Sequence, residues 1–176
     1  DVLGSRGLGD VYKRQAMLNH VSHLLTPDLV KALCEMGHSD TIVLADANFP
    51  GAMIARAQGA LLLRADGHGV PELLDAILEL MPLDTYVDQP VRMMEKMPCD
   101  RDLDIPVLET YKRIVAHYDP RGAAAIGAYE RFAFYEEAKK AFCIVQTGET
   151  AVYANLILQK GVIHADPGLK ARYLQY

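Results

Sequence analysis

Segments with helical hydrophobic spacing alternate with short β-rich runs along most of the chain, and this alternation limits the possible folds more than any other feature. The run over 41–45 is continuously apolar or β-branched, which is typical of a strand that is buried on both faces. Strands that alternate with helices form a sheet that is covered by helices on both sides. The sequence therefore predicts an α/β fold, a three-layer single domain with a mostly parallel or mixed sheet between helices.

Local signals predict the individual elements. Thr26 is a favourable N-cap, Pro27 fits the first position of a helix, and Gly37 is a typical helix stop. Apolar spacing predicts further helices over 71–81, 106–118 and 132–141. Strands are predicted over 41–45, 61–67, 91–94, 123–128, 142–147 and 153–159, and the range 61–67 includes the turn that follows its strand. Residues 47–60 are punctuated by Gly and Pro, so we expect a loop there.

The two ends of the chain differ in composition from the part between them. Residues 1–16 mix Gly with charged side chains, show no hydrophobic period and lack the apolar stretch of a signal peptide. We interpret them as a foreign or disordered leader. One domain is then expected over 17–163, which is an ordinary length for a domain, and residues 164–176 form a C-terminal tail.

Charge and hydropathy exclude two classes of partner. The net charge is −5 and the basic residues form no cluster. Such a chain is a poor ligand for nucleic acid, because phosphate contacts need concentrated Lys and Arg. No apolar run approaches the roughly 20 residues that span a bilayer, so we expect no membrane partner either.

The cysteine and histidine content indicates neither a disulfide framework nor a metal site. Cys34, Cys99 and Cys143 form no CxxC pair and no zinc spacing. Cys34 and Cys143 lie in apolar segments, which favours packing as small hydrophobic side chains. The histidines share no ligand spacing with Asp, Glu or Cys, so no metal is predicted. These features are typical of a protein of the reducing cytoplasm.

Polar side chains at the predicted ends of helices and strands are candidates for chemistry, because α/β folds place their sites there. His38 follows a helix, and Asp46 follows the strand over 41–45. A histidine suits proton transfer near neutral pH, although one in this position can also simply bind the last helical carbonyls. Arg131 begins a predicted helix, either as a rigid fork of donors for hydroxyl groups or as a solvated charge.

The start of the last predicted strand offers a second polar group. Strand alternation places Tyr153 and Asn155 on one face and Ala154 on the other. A phenol beside an amide suits a polyol ligand, which presents many donors and acceptors. A tyrosine at a sheet edge with an asparagine in a turn is an equally good interpretation of the same residues.

The motifs EMGHSD, ADANFP, RFAFYE, TGE and YAN occur in that order between Met17 and Val162. With these motifs in this order, the chain resembles the family of ribose pyranase and L-fucose mutarotase over nearly all of that range. RFAFYE and TGETAVYANLILQKGV are most similar to the L-fucose branch. Ala154 departs from the family pattern, in which Gly is usual. A methyl group there would crowd a backbone contact to the sugar, so this departure bears on which sugar is bound.

The resemblance implies roles for individual residues. His38 matches the family's general acid, and Asp46 matches a substrate-binding aspartate. Arg131 matches an arginine that contacts the sugar in the fucose branch. The segment 153–155 matches a sugar-binding segment, and within it Tyr153 is the best candidate for a second proton carrier.

The resemblance also implies the activity. We expect an isomerase that interconverts the α and β anomers of a free monosaccharide by acid/base opening and closure of the ring. The expected substrate is L-fucose. His38 would act as acid and base, held or polarised by Asp46, and no cofactor or metal is needed. The family is oligomeric, so a ring-like homo-oligomer is expected, with the last strand near a neighbouring subunit. The alternatives are D-ribose pyranase-type activity on another sugar and a non-catalytic sugar-binding protein.

Overall fold

A six-stranded mixed sheet lies between two layers of helices in the computed structural model, which describes residues 18–164. The predicted leader over 1–16 and all of the predicted tail except its first residue lie outside the described residues. The helices are α1 (Pro27–Glu35), α2 (Gly51–Gln58), α3 (Val70–Leu80), α4 (Pro106–Tyr118) and α5 (Arg131–Lys139). The strands are β1 (Thr41–Ala45), β2 (Leu61–Ala65), β3 (Val91–Met94), β4 (Ile126–Tyr129), β5 (Cys143–Thr147) and β6 (Leu156–Gln159).

The strand order in the sheet is β2-β5-β1-β6-β3-β4. Strand β1 pairs in parallel with β5 and β5 with β2, while β3 pairs in parallel with β4. Strand β6 is inserted between β1 and β3 and is antiparallel to both. The carboxyl ends of β1 to β5 and the amino end of β6 therefore share one edge of the sheet, which we call the carboxyl edge.

Two hydrophobic cores cover the two faces of the sheet. Helices α1, α3 and α4 pack on one face, where Tyr111 is fully buried, and α2 and α5 pack on the other around Phe134. Because side chains alternate along a strand, β1 gives Ile42 and Leu44 to the first core and Val43 to the second. Burial on both faces explains why the sequence of β1 is continuously apolar. The predicted three-layer α/β fold is confirmed.

Several element boundaries agree with the sequence prediction. The hydroxyl of Thr26 accepts a hydrogen bond from the backbone N–H of Leu29 at 3.2 Å, so this residue caps α1 as predicted. Strand β1 and helix α4 have the predicted bounds. Helix α1 ends at Glu35, because Met36 is extended with ψ 132°, so Gly37 is not the residue that stops it.

The predicted loop over 47–60 is wrong, because most of it forms helix α2. The segment after Pro50 is rich in Ala and also contains Met, Arg and Gln, which are good helix formers. Gly59 ends the helix with φ 81°, the left-handed conformation that glycine adopts without strain. The Gly and Pro residues thus mark the two ends of a helix rather than a continuous loop.

Two predicted strands begin later than expected, and one cysteine is exposed where a buried position was predicted. The last strand starts at Leu156, because Tyr153 has a left-handed backbone with φ 57° that breaks the extended chain. Strand β4 follows a 3₁₀ turn over Gly122–Ala125. Cys143 is buried as predicted, whereas Cys34 is exposed on α1, so its predicted packing is wrong.

Candidate active site

Asp46 lies directly after β1, and its side chain is buried, with 3% exposed. The carboxylate accepts hydrogen bonds from the backbone N–H of Asn48 at 2.9 Å and from Nδ2 of Asn155 at 2.8 Å. In return, Oδ1 of Asn155 accepts the backbone N–H of Asp46 at 2.7 Å. The amide of Gln146 donates to the carbonyl of Asp46 at 2.5 Å. This reciprocal pairing joins the end of β1 to the start of β6 at the carboxyl edge.

Burial raises the pKa of Asp46 above the usual aspartate value. Hydrogen bonds from the backbone N–H groups of Asn48, Ala154 and Phe49 and from the Asn155 side chain lower the pKa and offset burial only in part. All of these donors are neutral groups, so among residues 18–164 no positively charged group bonds to this carboxylate. A sugar hydroxyl would add one more donor to it.

Tyr153 lies beside this pair at the carboxyl edge and is partly buried. Its hydroxyl donates a hydrogen bond to Oδ2 of Asp100 at 2.5 Å. That hydrogen bond, together with partial burial, raises the pKa of the Tyr153 phenol. The proton of the phenol is therefore held between two oxygens in the described structure, and a ligand hydroxyl would have to replace Asp100 to receive it.

Ala154 has its methyl group in the core rather than at the surface, and the residue is 0% exposed. Its carbonyl accepts the hydroxyl of Tyr111 at 3.1 Å, and its N–H faces the carboxylate of Asp46. The methyl group lies in the core, so the predicted contact between residue 154 and the sugar would have to use the backbone, whose carbonyl retains a second lone pair.

Arg131 is the first residue of α5 and follows the end of β4, so it too lies at the carboxyl edge. Its guanidinium carbon lies 4.7 Å from the ring centroid of Phe132. Its Nε is buried and has no hydrogen-bond partner within residues 18–164. The adjacent Glu130 instead caps α5 by accepting the N–H groups of residues 132 and 133. A buried donor without a partner is costly, so Arg131 is well suited to bind a ligand oxygen.

His38 lies at the opposite edge of the sheet, before β1 begins. Five strand residues at about 3.3 Å each separate it from Asp46 by roughly 17 Å. The prediction that Asp46 holds or polarises His38 is therefore wrong within one chain. The partner is Asp84, whose Oδ2 lies 3.1 Å from Nε2 of His38. Asp84 is 0% exposed, whereas the His38 side chain is 44% exposed.

Sequence reasoning missed Asp84. It lies in a loop after α3, and its contact with His38 is tertiary, so no local spacing connects the two residues. The available signal was an isolated carboxylate in the otherwise apolar stretch MPLDTYV. Buried acidic residues are rare unless they are paired, so such a position marks an aspartate with a specific partner.

Comparison with known proteins identifies the family. The sequence model described as "RbsD / FucU transport protein family" matches residues 19–163. The chain belongs to this family. The predicted resemblance is thereby confirmed over nearly the whole described part of the chain.

Members of the RbsD / FucU family with curated names or solved structures are similar over almost their entire length. The fucose mutarotase of Homo sapiens is 50% identical over 152 residues, which is 85% of this chain and 97% of the human protein. FucU from Bifidobacterium longum superposes with a TM-score of 0.79 at 51% identity, covering 82% of this chain and 99% of that one. A fucose mutarotase from Streptococcus pneumoniae, solved in complex with L-fucose, gives a TM-score of 0.75 at 47% identity, covering 84% and 100%.

The same part of the chain offers neither a membrane helix nor a metal cluster. None of the helices between residues 18 and 164 is long and apolar enough to span a membrane. Within that range, the His, Cys, Asp and Glu side chains form no group of three or more that could hold a metal ion.

Proposed function

We propose that this member of the RbsD / FucU family is an isomerase, a fucose mutarotase that interconverts the α and β anomers of L-fucose. The observation that carries the proposal is the similarity, at 47% identity over 84% of the chain, to a fucose mutarotase solved with L-fucose bound. The human relative carries the same name at 50% identity. The buried and partly buried polar groups at the carboxyl edge suit a small polyol, which presents many donors and acceptors.

The reaction needs two proton transfers and nothing else. An acid protonates the ring oxygen while a base takes the proton of the C1 hydroxyl, and the bond between C1 and the ring oxygen breaks. The aldehyde carbon then rotates and the ring closes on its other face, which returns both protons. We assign the acid to His38 and the binding of sugar hydroxyls to Asp46, Arg131 and Asn155, with Tyr153 as the second proton carrier.

We further propose that the active site is completed by a second copy of the chain. His38 lies roughly 17 Å along β1 from Asp46, farther than one monosaccharide can bridge. If both residues act on one sugar, His38 must come from a neighbouring copy. An interface between unlike ends of two copies is heterologous, and heterologous interfaces form rings where the rotation between copies closes. This supports a ring-like homo-oligomer.

A cytoplasmic location is part of the same proposal. Cys34 and Cys99 are free and exposed in the described structure. Exposed free thiols suit a reducing compartment, because an oxidising one would convert them to disulfides.

Anomer exchange tests the activity directly. We expect the purified protein to accelerate saturation transfer between the α and β anomeric protons of L-fucose, in buffer that contains a chelator and no nucleotide. D-ribose and other free sugars form the comparison panel. Exchange at the buffer rate for every sugar would disprove the proposed function and leave a non-catalytic sugar-binding protein. Faster exchange of ribose than of fucose would move the proposal to the pyranase activity.

Complementation tests the shared site. At L-fucose concentrations well below KM, His38→Asn and Asp46→Asn should each abolish most exchange as separate preparations. If the two variants are mixed, dissociated and reassembled, roughly a quarter of the sites receive an intact residue from each copy. Exchange should then recover towards that fraction. No recovery, with mixed oligomers verified by mass spectrometry, would place the whole site within one chain.

A further inference from the structure

We propose that Asp84 is a positioning residue, which binds Nε2 of His38 and so leaves Nδ1 as the nitrogen that exchanges protons with the sugar. The inference rests on the proposed function, because it takes His38 as the acid. It adds a residue that neither the sequence motifs nor the comparisons point to. It also specifies which atom of the imidazole performs the transfer.

The surroundings of Asp84 are those of a buried, ionised carboxylate. Oδ1 accepts the backbone N–H of Tyr86 at 2.9 Å. Oδ2 accepts Nε2 of Gln159 at 2.9 Å and faces Nε2 of His38 at 3.1 Å. Burial acts to raise the pKa of Asp84, but these three hydrogen bonds outweigh it and hold the pKa below the usual value. The side chain is therefore a hydrogen-bond acceptor at neutral pH.

The loop that carries Asp84 is anchored to the rest of the fold. Arg121 donates to the carbonyl of Asp84 at 2.9 Å and to the carbonyl of Val87 at 2.7 Å. The same guanidinium pairs with the buried Asp119 at 2.7 Å. The N–H of Asp84 donates to the carbonyl of Gln159 in β6 at 3.0 Å. The carboxylate is thus held in place by contacts that do not involve His38.

The turn that carries His38 is fixed independently. Ser39 has a left-handed backbone with φ 70°, and its N–H donates to the carbonyl of Lys160 at 2.9 Å. The N–H of Gly37 donates to Oδ2 of Asp40 at 2.7 Å. The ring of Tyr86 lies 5.3 Å from the imidazole ring, centroid to centroid. A strained residue held by backbone hydrogen bonds is typical of a site whose geometry is set in advance.

This arrangement determines the tautomer. A carboxylate cannot donate, so the nitrogen that faces Asp84 must carry the proton when the imidazole is neutral. The contact with Asp84 is the one hydrogen bond that the imidazole makes within residues 18–164, so Nδ1 of the partly exposed ring is left for a ligand. A buried aspartate bonded to one imidazole nitrogen fixes the orientation of the ring and stabilises the imidazolium.

The proton balance follows from that tautomer. The imidazolium carries protons on both nitrogens, and Nδ1–H gives its proton to the ring oxygen as the C1–O bond breaks. When the oxygen attacks C1 again, that proton returns to Nδ1. The proton on Nε2 stays against Asp84 throughout, so His38 ends each cycle as it began.

Nitrogen NMR of the ¹⁵N-histidine-labelled protein tests the tautomer in the unaltered protein and without any sugar. At about pH 9, where an imidazole is neutral, we expect the His38 signals of an Nε2–H tautomer. His38→Asn identifies those signals by their loss. A His38 ring protonated mainly on Nδ1 would overturn the proposal. Because the measurement needs no activity, its outcome is separate from failure of the proposed function, which would appear as absence of exchange in the unaltered protein.

Asp84→Asn tests the consequence for catalysis. We expect kcat for L-fucose exchange to fall about tenfold or more, part of the 10²–10⁴-fold contribution of acid–base catalysis, while KM changes little. The His38 signals should shift towards a mixture of tautomers. Asp66→Asn, at an exposed carboxylate paired with Arg64, is the charge-matched control and should keep both properties. Unchanged kcat and tautomer in folded Asp84→Asn would overturn the proposal. If that variant does not fold, Asp84→Glu, which keeps the carboxylate, and the tautomer of the unaltered protein decide the question.

Discussion

A buried aspartate lies near each end of β1, and the pKa values of the two carboxyl groups are shifted in opposite directions. At the carboxyl edge, Asp46 is surrounded by neutral donors and its pKa is raised by burial. At the other edge, Asp84 faces an imidazole and has a lowered pKa. Both carboxylates are shielded from solvent, but Asp46 lies deeper in the protein, so burial outweighs its hydrogen bonds, whereas at Asp84 the hydrogen bonds outweigh burial. A carboxylate beside neutral groups suits the binding of hydroxyls, whereas one beside a histidine suits the support of a proton carrier.

The side chains at the two ends of β1 also differ in how far they are exposed to solvent, and this difference agrees with their proposed roles. The half-exposed His38 side chain stands in front of a fully buried aspartate. The Asp46 carboxylate and its partner Asn155 are both buried, and the pair links two strands. We therefore expect substitutions at the His38 end to affect turnover, and substitutions at the Asp46 end to affect binding and stability.

The largest effect is expected for His38→Asn. Asparagine keeps polarity but cannot transfer a proton near neutral pH, so kcat for L-fucose exchange should fall about 10²–10⁴-fold. Sugar binding, measured by calorimetry, should persist because the hydroxyl-binding groups lie at the carboxyl edge. His117→Asn, an exposed histidine on α4, is the control and should keep normal exchange. Near-normal exchange in His38→Asn would move the proton transfer elsewhere, first to Tyr153.

A smaller effect is expected from the titration of Asp46. Its raised pKa means that protonation begins at a higher pH than for an ordinary aspartate near about 3.9. Lowering the pH through that region converts an acceptor into a donor, so KM for L-fucose should rise, by about tenfold when protonation is complete. Measuring KM against pH checks this, with exposed Asp66→Asn as the control. A pH profile that is the same in Asp46→Asn and in the unaltered protein would contradict the assignment.

The sequence predicted the layers of the fold because those depend on local patterns. The apolar run of β1 and the helical spacing of α4 are local signals, and both elements were confirmed. Helix α2 is hidden from local pattern reading, because the Gly and Pro residues at its ends are also typical of loops.

The candidate site was less accessible to sequence reasoning. Local patterns indicate Asp46 at a strand end and Asn155 beside Tyr153, but only the family resemblance implies that both bind the sugar, since residues so far apart in the chain share no spacing. The contact between His38 and Asp84 depends on how a loop after α3 packs against β6, which no local pattern encodes. The roles of all these residues stay predictions, as do the boundaries of the leader and the tail.

The smallest effect is expected for Ala154→Gly, which introduces the residue that the family resemblance leads us to expect there. The methyl group lies in the core, so its loss together with the added backbone freedom should destabilise the protein by about 1–2 kcal/mol. Ala128→Gly, at an exposed position in β4, is the control for the backbone contribution and should cost less. Thermal unfolding measures both variants. The ratio of kcat/KM for L-fucose to that for D-ribose should stay within about twofold, because the methyl group faces the interior rather than the carboxyl edge. A change in that ratio of about tenfold would show that residue 154 contacts the sugar after all, and would make the carboxyl edge a determinant of sugar identity as well as of binding.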